Sequence, residues 1–372
     1  MKEKIICITG GHQTPAIAVI EAIRTSHIQW NIVWIGRKYA FEGSRVVAPE
    51  YALIRSMNIP FESLTSGRVD RSKGIYGLFS LFKIPLSIWQ SVRILQKIKP
   101  DLVVSFGGYI AFPVAVAAYI MHIPIITHEQ THAFGLANIV IAKIAQKVCV
   151  SYPETLAMVS KQKGVLTGLP IRSGIFSPPT RPSFTIPKEQ VPILYITGGS
   201  TGAQSLNEKI YPVIAKLVKD MVVVHQTGDI SFQKAQTVKT NLKAEGGRYI
   251  IAPFFSVSDV SWMYAHADVV AGRSGANTVA EISAFQKKAV FVPLPWAGGS
   301  EQTANALYYQ KSGNAVIIKQ ENVTAASLTK AIYELIKKPK NKVQYGRVPQ
   351  QDGALNMVRE IDTLLSLQNS TA

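Results

Sequence analysis

Short apolar runs recur along this chain, and each is followed by residues spaced for a helix. Runs at 5–8, 32–35, 102–105, 123–127 and 148–150 read as strands in the first half, with a helix opening at Pro15. Runs at 193–196, 222–225, 249–251, 269–271, 289–292 and 316–318 repeat the rhythm in the second half, with helices over 204–218, 325–337 and 355–367. The runs are continuous rather than alternating, so both faces of each strand are buried, the pattern of a parallel sheet covered by helices. The longest apolar stretch, 109–127, contains Pro113, His122 and Pro124 and reads as a helix followed by a buried strand, not as a membrane span. Pro170, Pro178, Pro179, Pro182 and Pro187 interrupt any regular period, so residues 166–190 read as a linker. The predicted organisation is α/β: an N-terminal domain over 1–165, a C-terminal domain over 191–345, and a closing helix within 346–372 that packs back on the N-terminal domain.

Glycine-rich turns follow the first strand of each half. Thr9-Gly10-Gly11-His12 opens one helix, and Gly198-Gly199-Ser200-Thr201-Gly202-Ala203 opens another. Such a turn aims backbone N–H groups and a helix N-terminus at an anion, most often a phosphate. A single turn is as readily explained by tight strand-to-helix geometry; the duplication is what points to a phosphate-bearing ligand. Ligands of open parallel sheets bind beyond the carboxyl ends of the strands, which places the expected site in a cleft between the domains.

The nucleotide is narrowed by what the turns lack. The second strands end in Ile35-Gly36-Arg37 and Val224-His225-Gln226, without the ribose-binding acid of dinucleotide enzymes, and neither turn spells G-x-G-x-x-G. The Walker sequence is also missing, which disfavours a P-loop kinase or ATPase. In the C-terminal half, Arg273-Ser274-Gly275-Ala276-Asn277-Thr278 ends a strand and starts a helix, with Glu281 one to two turns in. The free amides and Arg273 suit a phosphate, and a carboxylate at Glu281 suits both hydroxyls of a ribose. Glu301, Gln302 and Asn305 open a later helix and can bond sugar hydroxyls.

Charge adds a second partner. The 372 residues carry a net charge of +17, which attracts polyanions. From Arg68 to Lys99 there are seven Lys/Arg and one acid, Asp70, interleaved with Phe79, Phe82, Leu86 and Trp89. That mixture suits a helix lying on an anionic bilayer, and a core helix with a solvated basic face is the competing reading. A further acid-free stretch, 335–351, carries Lys337, Lys338, Lys340, Lys342 and Arg347. No nucleic-acid signature accompanies either, so no nucleic-acid partner is expected. Cys7 and Cys149 fall in strand runs as buried thiols, and with no signal peptide a reducing cytoplasm is expected.

Taken in order, Thr9-Gly-Gly-His-x-x-Pro15, Phe106-Gly-Gly-Tyr109, His128-Glu-Gln130, Thr167-Gly-x-Pro-x-Arg172, Gly198-Gly-Ser-x-Gly-Ala203, Arg273-Ser-Gly-Ala276 with Glu281, and Gln302-x-x-Asn305 resemble the MurG family nearly end to end. The resemblance implies a GT-B fold, with two Rossmann-like domains whose parallel sheets face an interdomain cleft. It implies transfer of N-acetylglucosamine from UDP-GlcNAc to undecaprenyl-pyrophosphoryl-MurNAc-pentapeptide, in peptidoglycan synthesis at the cytoplasmic face of the membrane. Glu281 would bind the uridine ribose and Phe255 would contact uracil through its backbone. Ser200, Arg172 and the amides of Ala276, Asn277 and Thr278 would hold the diphosphate, within the motifs that include Gly199, Arg273, Ser274 and Gly275. Gln302, with Glu301, would read the GlcNAc hydroxyls. Thr9, Gly10, Gly11, Tyr109 and Glu129 would face the polyprenyl-diphosphate acceptor, with Thr131 offering a hydroxyl where the family has Asn.

In this reading His12 is the general base for the attacking C4 hydroxyl, since a neutral imidazole suits that work near pH 7. Glu129 shares the catalytic side of the site. Fixed amides and Arg172 stabilise departing UDP, and with no Asp-x-Asp motif an inverting transfer without metal or other cofactor is expected. Cys7 and Ile8 stand where the family has glycines, which predicts a stiffer backbone at the first turn and an altered acceptor; Leu169 replaces a family Asn. The alternatives are another prenyl-diphosphate acceptor, a UDP-GlcNAc 2-epimerase, or a non-enzymatic nucleotide-sugar-binding partner.

Overall fold

The computed structural model describes residues 3–26, 28–39, 47–64, 83–199, 202–295, 301–339 and 352–369. They fall into two compact units, Met1–Arg172 with Pro349–Ala372, and Ser173–Val348.

The first unit is built on β1 (Lys4–Thr9), β2 (Trp30–Gly36), β3 (Phe61–Ser63), β4 (Leu102–Ser105), β5 (Ile125–Glu129), β6 (Lys147–Val150) and β7 (Gly164–Leu166). These form a seven-stranded parallel sheet in the order β3-β2-β1-β4-β5-β6-β7, so the winding reverses between β1 and β4. Its helices are α1 (Gln13–Thr25), α2 (Pro49–Ser56), α3 (Lys83–Ile98), α4 (Gly108–Ile120), α5 (Leu136–Ile144) and α6 (Pro153–Leu156). Neighbouring residues of β1 feed opposite layers, as the two-residue period of a strand requires. Ile6 and Ile8 pack with Ala16 and Ile20 of α1 and with Met357 and Ile361 of the C-terminal helix Gly353–Asn369. Cys7 packs on the other side with Ile110 and Val114 of α4 and Leu95 of α3. That helix returns to the first sheet because its apolar stripe completes the layer over α1.

Two expectations change here. Cys7 and Ile8 lie inside β1, fully buried, so they replace glycines in the strand and not in the turn; the turn backbone begins at Gly10. The proline-rich stretch is also not a free linker. Its start, β7, is a strand of the first sheet, and the change of unit falls after Arg172. Beyond that point the segment docks on the second unit: the Ser183 N–H and Oγ donate to the two carboxylate oxygens of Asp259, at 2.7 and 2.8 Å.

The second unit carries β8 (Ile193–Thr197), β9 (Val222–Gln226), β10 (Tyr249–Ala252), β11 (Val269–Gly272), β12 (Lys288–Phe291) and β13 (Ala315–Ile317). Their six-stranded parallel sheet runs β10-β9-β8-β11-β12-β13, with its reversal between β8 and β11. The helices are α7 (Gln204–Asp220), α8 (Asp229–Asn241), α9 (Val257–His266), α10 (Ala276–Ala284), α11 (Glu301–Gln310) and α12 (Ala325–Lys337). Leu206, Ile210, Ile214 and Leu217 of α7 and Leu328, Ile332 and Leu335 of α12 cover one face of this sheet. The buried Lys288 ammonium donates to the carbonyls of Leu335, Ile336 and Lys338, where the α12 dipole favours a cation.

A pH-sensitive stability term sits at the end of β2. The buried Glu50 carboxyl accepts from the Trp34 indole at 2.7 Å, and burial pushes its pKa up from 4.5 to about 7, against the opposing pull of Trp34 and Arg37. The folded chain therefore keeps a proton that the unfolded chain releases near pH 4.5. The stabilisation is full below that pH and is lost as pH rises through about 7. Glu50→Gln preserves an acceptor for Trp34 and cannot ionise. It is expected to exceed the native chain in stability at pH 8 by up to about 3 kcal/mol and to match it near pH 5. Identical denaturation midpoints at pH 8 would contradict this.

Candidate functional site

In the first unit the polar groups gather at the β1/β4 reversal. The Gly11 N–H donates to the Gly107 carbonyl at 2.8 Å, and a Cβ on Gly11 would stand 2.9 Å from the Cα of Gly108. The two turns thus lie backbone to backbone, a contact that side chains would forbid. This packing sets His12 at the N-cap of α1, half-buried, with Thr9 beneath it at the end of β1, its hydroxyl buried without a partner among the described residues. Burial holds the imidazole pKa below 6.5, and the Glu129 carboxylate partly offsets this. His12 is therefore neutral at pH 7. Gln130, just beyond β5, reaches the His12 Nδ1 at 2.7 Å.

Glu129 does not present its carboxylate to the site. Oε1 accepts from the Thr131 N–H and hydroxyl at 3.0 and 2.8 Å, and Oε2 from the Gly135 N–H and Asn138 Nδ2 at 3.1 and 2.9 Å. It organises the 130–135 loop and the start of α5, and reaches His12 only through its charge. Thr131 is spent on the same loop, its hydroxyl lying between Glu129 and the Ala133 carbonyl. Tyr109 begins α4 with its ring 5.8 Å from the Arg37 guanidinium carbon. Arg172 closes the N-terminal segment of the first unit beside the Glu21 carboxylate, its Nε buried without a partner among the described residues.

The second unit repeats the arrangement at β8/β11. Gly199 lies in the left-handed region at φ +75°, and its missing Cβ would touch the Thr278 hydroxyl at 3.8 Å, so the glycine-rich turn adjoins the start of α10. Gly275 caps that helix with open space on its Cβ side, and among the described residues no side chain caps the amides of Ala276, Asn277 and Thr278. Glu281 lies farther along the same helix, largely buried. The amides are placed for an anion; Arg273 is not. Its guanidinium donates to the Val292 carbonyl, Gln320 and Ser205 at 2.8, 2.6 and 2.6 Å, so it braces β11 instead of reaching for a phosphate. Ser274 likewise donates to the Gln302 carbonyl at 2.8 Å, and Asn305 to the Ser274 carbonyl at 3.2 Å, tying α11 to this edge. The Gln302 side-chain oxygen accepts from the Leu294 N–H at 3.0 Å, which fixes the amide while Glu301 heads the helix. Ser200, Thr201 and residues 298–300 lie outside the described residues, as do 68–82 and 340–351.

Periodicity offered no role for Gln226, yet it spans the site. Its Nε2 donates to the Gly199 carbonyl at 3.2 Å, and its Oε1 accepts the Phe255 N–H at 3.3 Å. A second bridge supports the same edge: the neutral His225 donates to Asn207 at 3.0 Å, and Asn207 donates to the Thr227 carbonyl at 2.8 Å. Polar residues closing otherwise apolar strands were the available signal. Among the described residues no group of three or more His, Cys, Asp and Glu side chains is arranged to hold a metal ion, and no helix is long and apolar enough to cross a membrane.

Residues 6–150 match the glycosyltransferase family 28 N-terminal domain, and residues 193–361 match the family 28 C-terminal domain. A UDP-N-acetylglucosamine--N-acetylmuramyl-(pentapeptide) pyrophosphoryl-undecaprenol N-acetylglucosamine transferase of Cupriavidus metallidurans is 34% identical, covering 87% of this chain and 86% of its own. The Clostridium novyi protein of the same name is 31% identical over 98% of both. The crystal structure of Acinetobacter baumannii MurG superposes with a TM-score of 0.67 at 25% identity, covering 96% of this chain and 99% of that one.

Proposed function

The chain belongs to the MurG family of glycosyltransferases, and from that premise we propose that it transfers N-acetylglucosamine from UDP-GlcNAc to the C4 hydroxyl of MurNAc on undecaprenyl-pyrophosphoryl-MurNAc-pentapeptide. The observation that carries the donor half is the β8/β11 edge: uncapped α10 amides beside the Gly199 turn, with a buried carboxylate on the same helix. Those amides take the diphosphate, adding helix dipole to hydrogen bonds. Glu281 takes the ribose hydroxyls, Phe255 meets the uracil through its backbone, and Gln302 donates to the sugar. Arg273 and Ser274 support the edge from behind.

The acceptor lies against Gly10, Gly11 and Tyr109 of the first unit. As its C4 oxygen attacks the anomeric carbon, His12 takes the proton and the bond to UDP breaks, inverting the configuration. Oriented amides stabilise the charge growing on UDP, and transfer is expected to persist in EDTA. The lipid acceptor fits the surface of this unit too. Leu86 and Trp89 of α3 and Leu136, Ile139 and Val140 of α5 are exposed, and the Arg93 guanidinium lies 4.4 Å from the Trp89 ring. Both helices flank α4 in one apolar layer, which presents a basic and apolar face to an anionic cytoplasmic leaflet. Cosedimentation with anionic vesicles, weakened by salt, tests that contact.

The decisive assay follows radiolabelled sugar from UDP-GlcNAc to the lipid-linked muramyl pentapeptide. Release of UDP without label in the lipid would reject the transfer, and UDP-ManNAc formed without acceptor would indicate the epimerase. Glu281→Ala is expected to raise the UDP-GlcNAc KM roughly 10- to 100-fold, the worth of charge-assisted bonds to a ribose, with a smaller change in kcat. An unchanged KM would remove Glu281 from the donor site.

A further inference from the structure

We propose that Gln130 is a positioning residue that sets the tautomer of His12, its amide oxygen accepting the Nδ1–H so that the Nε2 lone pair faces the acceptor hydroxyl. The inference rests on the reading of His12 as general base. Gln130 is 5% exposed; its amide is placed with Nε2 2.7 Å from His12 Nδ1, and its Oε1 is buried without a partner among the described residues, so the two amide atoms exchange places in the proposed arrangement. With Nε2 of the amide toward the ring, the amide donates to Nδ1. The neutral imidazole then carries its proton on Nε2 and has no lone pair left for a substrate. An amide keeps its shape when oxygen and nitrogen exchange places, and here the exchange breaks no bond that Oε1 makes.

The exchanged arrangement also survives the reaction. When the acceptor oxygen bonds to the anomeric carbon, its proton passes to Nε2 and UDP leaves with the electron pair of the broken bond. The imidazolium so formed donates from both nitrogens. An amide oxygen at Nδ1 accepts before and after the transfer; an amide nitrogen there would face a donor. Gln130 itself gains and loses no proton.

A neutral orienting group suits this site. Glu129 has both oxygens occupied by Thr131, Gly135 and Asn138, so it acts on the ring through charge alone. His128, on which the His12 charge acts in turn, is buried and neutral, its Nε2–H donating to the Gly168 carbonyl at 3.1 Å. A second carboxylate at Nδ1 would favour the charged ring and consume the base near neutral pH.

The test reads the tautomer directly. Long-range 15N–1H correlation spectra of the full chain at pH 8 are expected to show His12 protonated on Nδ1, and a proton on Nε2 would overturn the proposal. Gln130→Leu is expected to lower kcat roughly 10- to 100-fold with the UDP-GlcNAc KM unchanged. Gln130→Glu restores an acceptor of nearly the same shape. On the alkaline side it is expected to recover most of kcat, while the acid limb of the pH–rate profile moves upward and activity near neutral pH stays low, because a carboxylate raises the imidazole pKa. A merely structural glutamine would not shift that limb, so an unmoved limb counts against the inference. His12→Gln separates the two readings. Native kcat in His12→Gln overturns the base assignment itself, whereas lost kcat there with native kcat in Gln130→Leu overturns only the role of Gln130.

Discussion

Replacing His12 with alanine is expected to lower turnover by roughly 10²- to 10⁴-fold, the usual worth of a positioned general base. UDP-GlcNAc affinity should change little, because the α10 amides, Glu281, Phe255 and Gln302 proposed for the donor all belong to the second unit. The ring qualifies by geometry first: it stands at the α1 N-cap, on a turn that the Gly11–Gly107 bond holds against the neighbouring strand end. It qualifies by charge second, since burial keeps its pKa below 6.5. The acid limb of kcat/KM should therefore fall below pH 6.5, activity being lost as the imidazole gains its proton, and the limb should vanish in the alanine variant. A limb that persists unchanged would assign the titration to another group.

Glu129→Ala is expected to act first on stability, costing about 3–5 kcal/mol and lowering the melting temperature by roughly 10 °C. The carboxylate is 3% exposed and takes every donor turned toward it: the Thr131 amide and hydroxyl, the Gly135 amide and Asn138. Truncation leaves the buried Thr131 amide without its acceptor, while the Thr131 hydroxyl keeps the Ala133 carbonyl and Asn138 keeps the His128 carbonyl. Asn138 would lose one of its anchors, and Asn138 packs where a Cβ on Gly107 would stand, 2.7 Å from its Nδ2. Activity should fall because this loop positions Gln130 and the turn beside it. Melting curves decide the matter: lost activity with an unshifted transition would make Glu129 a group acting on substrate, not a loop anchor.

The strands are largely legible in the sequence. Buried parallel strands announce themselves as unbroken apolar runs, and those at 102–105 and 193–196 coincide with β4 and β8 or fall one residue short. β3 and β7 escaped notice because they are three-residue edge strands without fully buried faces. The C-terminal helix was visible as an apolar stripe. The meaning of a substitution was harder to read. Cys7 and Ile8 predict an altered phosphate turn, whereas the strand runs through Thr9 and leaves the turn to Gly10 and Gly11.

Side-chain commitments were the least legible. A sequence states that Glu129, Arg273 and Ser274 are polar and lie near strand ends. It does not say whether their polar atoms face a ligand or one another, because a buried polar group must find partners and takes whichever the fold supplies. Here Glu129 turned inward to its loop, Arg273 to Val292, Gln320 and Ser205, and Ser274 to α11. Local periodicity and glycine placement determined by themselves the two parallel sheets and the strand ends where chemistry collects. Only the tertiary structure decided which groups there remain open to a substrate, since hydrogen bonds between residues distant in sequence exist only after the chain has closed.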